Sequence, residues 1–277
     1  MIPPFLIAFD IETIPDEKLA ISVLGEEGDT LDEVLERQRK RYGKERVEDV
    51  FLSPPFHKII SLSMFLRFLR PDNTVERVWM AMTPNLPEEE ILKRFWKIIG
   101  NIVQKAKVYS KDNPVPEHPY IITYNGKNFD IPVLIARTLK HREFIVRQKF
   151  ENGAVASGLS TFFDDEDRWE REKANYTYRH SRYNIDLLGI LGGYRQSLYT
   201  ICSLCNIPVK TEGRGNEVVS YYKNREFEKI ARYCAEDIKA TYLLYLNRLL
   251  LKADIQEIKE IQEEIEMTNN LPLKIIG

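Results

Sequence analysis

Cysteine is scarce in this chain, with three among 277 residues, at Cys202, Cys205 and Cys234. So small and odd a number argues against a disulfide scaffold and fits a reducing compartment. Cys202 and Cys205 form a lone Cys-x-x-Cys inside a predicted helix. With 4 histidines in the whole chain, further zinc ligands are lacking, so core packing is the expected role. Long apolar runs are also missing: none reaches the ~18 residues of a membrane span, and no membrane partner is expected. The N-terminus, Met1-Ile2-Pro3-Pro4-Phe5, has neither a basic region nor a long apolar stretch, so no signal peptide is predicted and the cytoplasm is the expected location. A strong charge of one sign is absent too. The net charge is −2, but acidic metal ligands and basic phosphate contacts cancel in such a sum, so a nucleic-acid partner stays open. No Pro/Gly/Ser-rich linker and no internal repeat divides the chain. With 43% hydrophobic residues it can bury a sizeable core, and one domain over 1–277 is expected.

Hydrophobic periodicity orders the chain. Residues 5–12 read as a strand covered on both faces, because Leu6 to Ile11 is almost unbroken apolar sequence. Residues 57–69 and 74–82 read as a hairpin turning at Pro71-Asp72-Asn73. Three glutamates, Glu88 to Glu90, open a helix to about Lys107, and they complement its dipole. A strand at 120–124 leads through Asn125-Gly126 into a helix from about Phe129 to His141, with Pro132 in its first turn. A short strand at 183–187 and helices at about 196–206 and 225–250 follow. A charged helical extension covers about 252–268. Two stretches, about 26–50 and 151–182, are expected to be insertions lying over the core. The alternation of elements predicts a mixed α/β sheet flanked by helices.

Three short motifs carry the candidate chemistry. In Phe9-Asp10-Ile11-Glu12-Thr13 the two acids are two residues apart on a strand, so both carboxylates emerge on one face while Phe9 and Ile11 fill the other. Two buried anions side by side repel, and a divalent cation would relieve them; a water-facing strand end would serve equally. Asp130 stands in a helix's first turn after the Asn125-Gly126 turn, where the dipole alone would favour an acid. Tyr233 and Asp237 are spaced i,i+4 and share one helix face, which a polar surface stripe would also explain. Together the set changes meaning. Four carboxylates and a tyrosine from separate elements can meet only in a cleft. Oxygen donors of this kind suit Mg²⁺ or Mn²⁺, and two such ions roughly 3.5–4 Å apart form a clamp for in-line attack on a phosphodiester. A free phenol has a pKa near about 10, so Tyr233 would orient the attacking water and not act as its base.

These motifs resemble the three exonuclease motifs of the DEDD superfamily, tyrosine type. The likeness is greatest to the 3′–5′ exonuclease domain of family B DNA polymerases and to free-standing proteins related to it. Tyr124-Asn125-Gly126-x-x-Phe129-Asp130-x-Pro132, Ile207-Pro208-x-Lys210 and Tyr233-Cys234-Ala235-Glu236-Asp237 carry it. The resemblance covers roughly residues 1–250 outside the two insertions. It implies an RNase H-like fold with a mixed five-stranded sheet flanked by helices. It implies two divalent cations, Mg²⁺ or Mn²⁺, with Asp10 shared between them, Glu12 and Asp237 on one and Asp130 on the other. Thr13, Asn125, Phe129 and Lys210 would contact the substrate, with Asn125 and Phe129 at the 3′-terminal nucleotide. The implied activity is 3′–5′ hydrolysis of single-stranded or frayed DNA to nucleoside 5′-monophosphates, with a polymerase or DNA-repair partner. No polymerase domain follows the motifs, which leaves a built-in proofreading role without support.

Two other readings stay open at this level. One is an exoribonuclease of the same fold, and the other a non-catalytic module that binds 3′ ends or recruits a polymerase. The complete acidic set favours the enzyme over the module. Basic clusters at Arg37, Arg39, Lys40, Arg41, Lys44 and Arg46, and at Lys140, Arg142, Arg147 and Lys149, either grip a phosphate backbone or are solvated helix faces. Trp169, Tyr176 and Tyr178 either stack on bases or anchor a long loop.

Overall fold

The structure, a computed structural model, describes residues 1–47, 50–164, 173–178, 180–191, 196–209 and 215–277, without the side chains of 215 and 216. Its strands are β1 (Phe5–Pro15), β2 (His57–Leu69), β3 (Val75–Met82), β4 (Tyr120–Thr123), β5 (Asn184–Asp186) and β6 (Leu273–Ile276). They form one sheet in the order β5-β4-β1-β2-β3-β6. β2 is antiparallel to both β1 and β3, whereas β1 with β4, β4 with β5 and β3 with β6 pair in parallel. An order 3-2-1-4-5 with β2 alone reversed is the RNase H-like arrangement. The expected five strands become six among the described residues, because β6 follows the C-terminal helix and extends the β3 edge.

The helices are α1 (Glu17–Leu24), α2 (Leu31–Arg41), α3 (Glu88–Ser110), α4 (Asp130–Lys140), α5 (Arg142–Glu151), α6 (Ala154–Phe162), α7 (Leu187–Ile190), α8 (Leu198–Leu204), α9 (Gly215–Lys223), α10 (Phe227–Leu249) and α11 (Ile255–Asn269). Alternation along β1 divides the core in two. Phe5, Ile7, Phe9 and Ile11 pack with Phe95, Trp96 and Ile99 of α3 and with Val133 and Leu134 of α4. Leu6 and Ala8 pack on the other face with Ala231, Ala235 and Ile238 of α10. The hairpin closes as the sequence suggests. Asn73 adopts φ 64°, and the Asp72 carboxylate accepts the Thr74 N–H at 3.0 Å, the local bond that makes aspartate a turn former.

The stretch 151–182 contributes directly to the core. Val155, Leu159 and Phe162 of α6 and Tyr176 after it are buried in the α3 layer. The Tyr176 hydroxyl donates to the Pro119 carbonyl at 2.6 Å, so this ring anchors the chain and cannot stack on a base. Helices α3 and α6 touch backbone to backbone. A Cβ on Gly100 would lie 1.8 Å from the Ala154 carbonyl oxygen, and one on Gly158 would lie 2.1 Å from that of Trp96. Gly158→Ala should therefore lower stability by about 1–3 kcal/mol through overpacking, despite the ~1 kcal/mol gain in helix propensity. Urea denaturation checks this, and an unchanged midpoint would contradict the close packing. On the far edge, Glu264 of α11 is 2% exposed and accepts from Arg67 at 3.0 Å and Arg77 at 2.7 Å, which ties the C-terminal extension to β2 and β3.

Candidate active site

The site forms where β1 outruns its parallel neighbour. β4 pairs with β1 only across Leu6 to Ala8, yet β1 continues to Pro15. The chain leaves β4 through Asn125, turns, and starts α4 at Asp130. Asp130 thus takes the place of a continuing strand: its Oδ1 accepts the Ile11 N–H at 3.2 Å. This is the carboxyl end of the parallel strands, where open α/β sheets place their ligand crevices.

Asp10 and Glu12 lie on the α10 face of β1, following Leu6 and Ala8 in alternation, opposite Ser63 and Ser61 of β2. The register slips between Glu12 and Thr13. Such a bulge re-aims side chains next to a site. The extra residue is Ile60 of β2; Thr13 follows Glu12 along β1, and its hydroxyl meets Nδ1 of His57 at 2.9 Å. From α10 come Tyr233 and Asp237 on one face, with Cys234 between them. Ligand atoms of Asp10, Glu12 and Cys234 lie within 4.8 Å of one another. The Cys234 thiol donates to the Asp10 carbonyl at 3.4 Å and lies 3.7 Å from Asp10 Oδ2.

The charges of these groups act on one another around Asp10 and Glu12. Burial, then the charges of Asp130, Glu12 and Asp237, push the Asp10 carboxyl well above the usual carboxylate range. Burial, then Asp237 and Asp130, do the same to Glu12. Burial raises Asp130 to about 7 against backbone bonds that favour its charge. Burial and the charges of Asp237, Glu12 and Asp10 raise the Tyr233 phenol, so it keeps its proton at neutral pH. Burial and the same carboxylates raise the Cys234 thiol well above its ordinary value. Such a cluster of mutually repelling acids is a signature of a functional site.

A turn positions Asp130 and its neighbours. Asn125 adopts φ 66°, a left-handed conformation that asparagine tolerates. Its N–H and that of Lys127 donate to the two oxygens of Asp186 at 2.8 and 3.0 Å. Asp186 is buried at the end of β5 and also accepts the Leu188 N–H at 3.2 Å. Sequence reading missed Asp186; an acid closing a short strand before a helix start was its only signal. Phe129 precedes Asp130 and meets His57 edge to face at 4.9 Å between ring centres.

The structure therefore brings Asp10, Glu12, Asp130, Tyr233 and Asp237 together, sets Asn125 and Phe129 beside them, and commits the Thr13 hydroxyl to His57. Lys210 and Trp169 lie outside the described residues. Within the basic clusters Arg37 pairs with Asp29 at 2.9 Å, Arg39 with Glu36 at 2.7 Å, Lys140 with Asp16 at 2.7 Å and Arg147 with Glu89 at 2.8 Å. The Cys-x-x-Cys divides, with Cys202 buried and Cys205 exposed. Among the described residues no helix is long and apolar enough to cross a membrane.

Comparison with known proteins agrees with the motif reading. No curated protein matches the sequence. Among solved structures, the family B DNA polymerase from the hyperthermophilic archaeon Pyrobaculum calidifontis matches at 14% identity and a TM-score of 0.44, over 90% of this chain. The chain spans 25% of that polymerase's length. Residues 49–274 match the family described as predicted 3′–5′ exonucleases related to the exonuclease domain of PolB. The chain belongs to this family of predicted 3′–5′ exonucleases related to the PolB exonuclease domain.

Proposed function

We propose that this protein hydrolyses phosphodiester bonds at the 3′ end of single-stranded or frayed DNA, using two divalent cations, Mg²⁺ or Mn²⁺, and releasing nucleoside 5′-monophosphates. The carrying observation is the convergence of carboxylates from β1, α4 and α10 in one cleft, each raising the charge burden of the others. The donor chemistry fits hard cations. Asp10, Glu12, Asp130 and Asp237 offer carboxylate oxygens, and the Cys234 sulfur beside Asp10 is held as a protonated thiol. Hard cations prefer oxygen, whereas zinc would favour the thiolate.

When bound, such ions activate water and neutralise charge developing on the phosphate and the leaving oxygen. The protein's own residues do the rest. Asp10 and Glu12, locked on a central strand, supply ligands on a rigid base. Asp130 is fixed by the Ile11 N–H and by the turn that Asp186 holds. Tyr233 remains an O–H donor within the carboxylate cluster, suited to aim a water at phosphorus and unsuited to removing its proton. Water adds to phosphorus, the bond to O3′ breaks, the strand regains a 3′-hydroxyl and the phosphate leaves on the released nucleotide.

The test uses 5′-labelled single-stranded DNA, a duplex with a recessed 3′ end, a circular single strand and RNA, each with Mg²⁺, Mn²⁺ or EDTA. A ladder shortening from the 3′ end and stopped by EDTA is expected, with DNA preferred. Cleavage of the circle would overturn the exonuclease reading, and preferential digestion of RNA would overturn the DNA reading.

A further inference from the structure

We infer that Phe51 is a base-stacking residue of this site, forming with Phe129 an aromatic wall, backed by the buried His57, for the 3′-terminal nucleobase. The inference rests on the exonuclease reading and adds a residue lying outside the three motifs. Phe51 is 67% exposed, which is unusual for a large aromatic side chain beside a polar cleft. Its ring is nevertheless held in place: its centre lies 5.0 Å from His57 and 5.0 Å from Phe129. One side of the ring packs on these partners and the other faces solvent.

The wall is built to stay put. The next residue, Leu52, is buried, and its carbonyl lies 2.9 Å from Nε2 of His57. A carbonyl only accepts, so Nε2 carries the proton. Burial lowers the His57 pKa, the ring is neutral, and Nδ1 therefore accepts from the Thr13 hydroxyl at 2.9 Å. Both ring nitrogens are thus committed to the protein. His57 is buried behind the wall, and Phe129 and Phe51 offer uncharged aromatic surface.

The occupant follows from position and chemistry. Phe129 is the residue before Asp130, so the wall adjoins the carboxylate cluster. A nucleotide reaching that cluster with its phosphate carries a flat, uncharged base beside it. Stacking on an aromatic ring accepts every base, as an enzyme that shortens strands of any sequence requires.

The experiment separates stacking from catalysis. Binding is measured in an Asp10→Asn background with Mg²⁺, using single-stranded DNA that carries 2-aminopurine at its 3′ end, whose fluorescence is quenched on stacking. Phe51→Ala should weaken binding about tenfold and remove the bound-state quenching, while Phe51→Trp should keep both. With an abasic 3′-terminal nucleotide, Phe51→Ala should cost nothing further, since the partner base is already missing. Unchanged affinity and quenching in Phe51→Ala, or an equal loss on the abasic strand, would overturn the inference. Digestion of unmodified strands by the unsubstituted protein is scored separately. Its absence would count against the exonuclease reading while the fluorescence still decides the stacking.

Discussion

Replacing Asp10 by asparagine should remove strand shortening and, at the same time, stabilise the metal-free protein. Loss of activity on the order of 10²-fold or more is expected, because preorganised charge at the reacting phosphate is among the largest catalytic contributions. The stability effect has the opposite sign for a simple reason. Asp10, Glu12 and Asp130 all hold their protons longer in the folded protein than in the unfolded chain. Between the ordinary carboxylate pKa and the raised one, the folded state binds more protons, so stability falls as pH rises through that window. For Asp130 the window runs from 3.8 to about 7. An amide at position 10 removes one charge and relieves its neighbours. Without metal, the melting temperature of the unsubstituted protein should drop between about pH 5 and pH 8 through this cluster. The Asp10→Asn variant should drop less.

Metal reverses the trend. A cation that binds only the folded protein stabilises it by mass action and needs deprotonated carboxylates. Mg²⁺ should therefore raise the melting temperature more at pH 8 than at pH 5, and the increment should shrink in Asp10→Asn. Thermal-shift curves at both pH values, with and without Mg²⁺, read all of this. Full digestion by Asp10→Asn, or a metal-free variant less stable than the parent at pH 8, would refute the shared-charge description.

The second large effect is expected at Arg137, which touches no substrate. This guanidinium is 1% exposed. It donates to both oxygens of Glu88 at 2.7 and 2.6 Å and to Asp16 at 2.6 Å. Glu88 also accepts the Ile59 N–H at 2.8 Å, and Asp16 caps α1 through the Leu19 N–H at 3.3 Å. One side chain thus joins α4 to α1, to the start of α3 and to β2. Burial opposes ionisation of Glu88, but the bonds from Arg137 and His141 hold it below its ordinary value. Against burial again, Lys140 and Arg137 hold Asp16 at about 2.

Arg137→Ala would leave Glu88 buried without its bidentate partner, and breaking such a pair costs about 3–5 kcal/mol. In a chain of this length that corresponds to a fall of about 10 °C in melting temperature. Arg137→Lys should rescue little, because an ammonium cannot span both carboxylates as the planar fork does. The depressed pKa values give the pH sign. Their contribution is complete above the ordinary values, 3.8 for Asp16 and 4.5 for Glu88, and is lost as pH falls below them, for Asp16 towards about 2, opposite to the trend of the carboxylate cluster. Because α4 carries Asp130 at its other end, activity in Arg137→Ala should also fall. A variant as stable as the parent would show that the network contributes specificity of packing and little stability.

How far the site could be read from sequence depends on the range of the signal. Asp10 and Glu12 were legible as a pair because strand side chains alternate. Tyr233 and Asp237 were legible because helix neighbours recur at i,i+4. The Asn125-Gly126 turn and the β2–β3 hairpin carried their own turn chemistry. In contrast, Asp186 meets Asn125 across 61 residues and Arg137 meets Asp16 across 121. No local pattern encodes such pairings. Helix α6 looked like part of an excursion because it is short and rich in small residues. Those small residues, Gly158 above all, are what let it lie against the α3 backbone.

By itself, the sequence determined the acidic set, the faces on which its members stand and the mixed α/β order of elements, since all of these follow from backbone periodicity. Only the tertiary structure decided that β1 outruns β4, so that Asp130 closes the gap. It alone placed Cys234 against Asp10, joined Thr13 to His57 and set Phe51 in the open beside Phe129. These are contacts between distant segments, fixed by how whole layers pack, and packing is a property of the assembled core that no stretch of chain specifies alone.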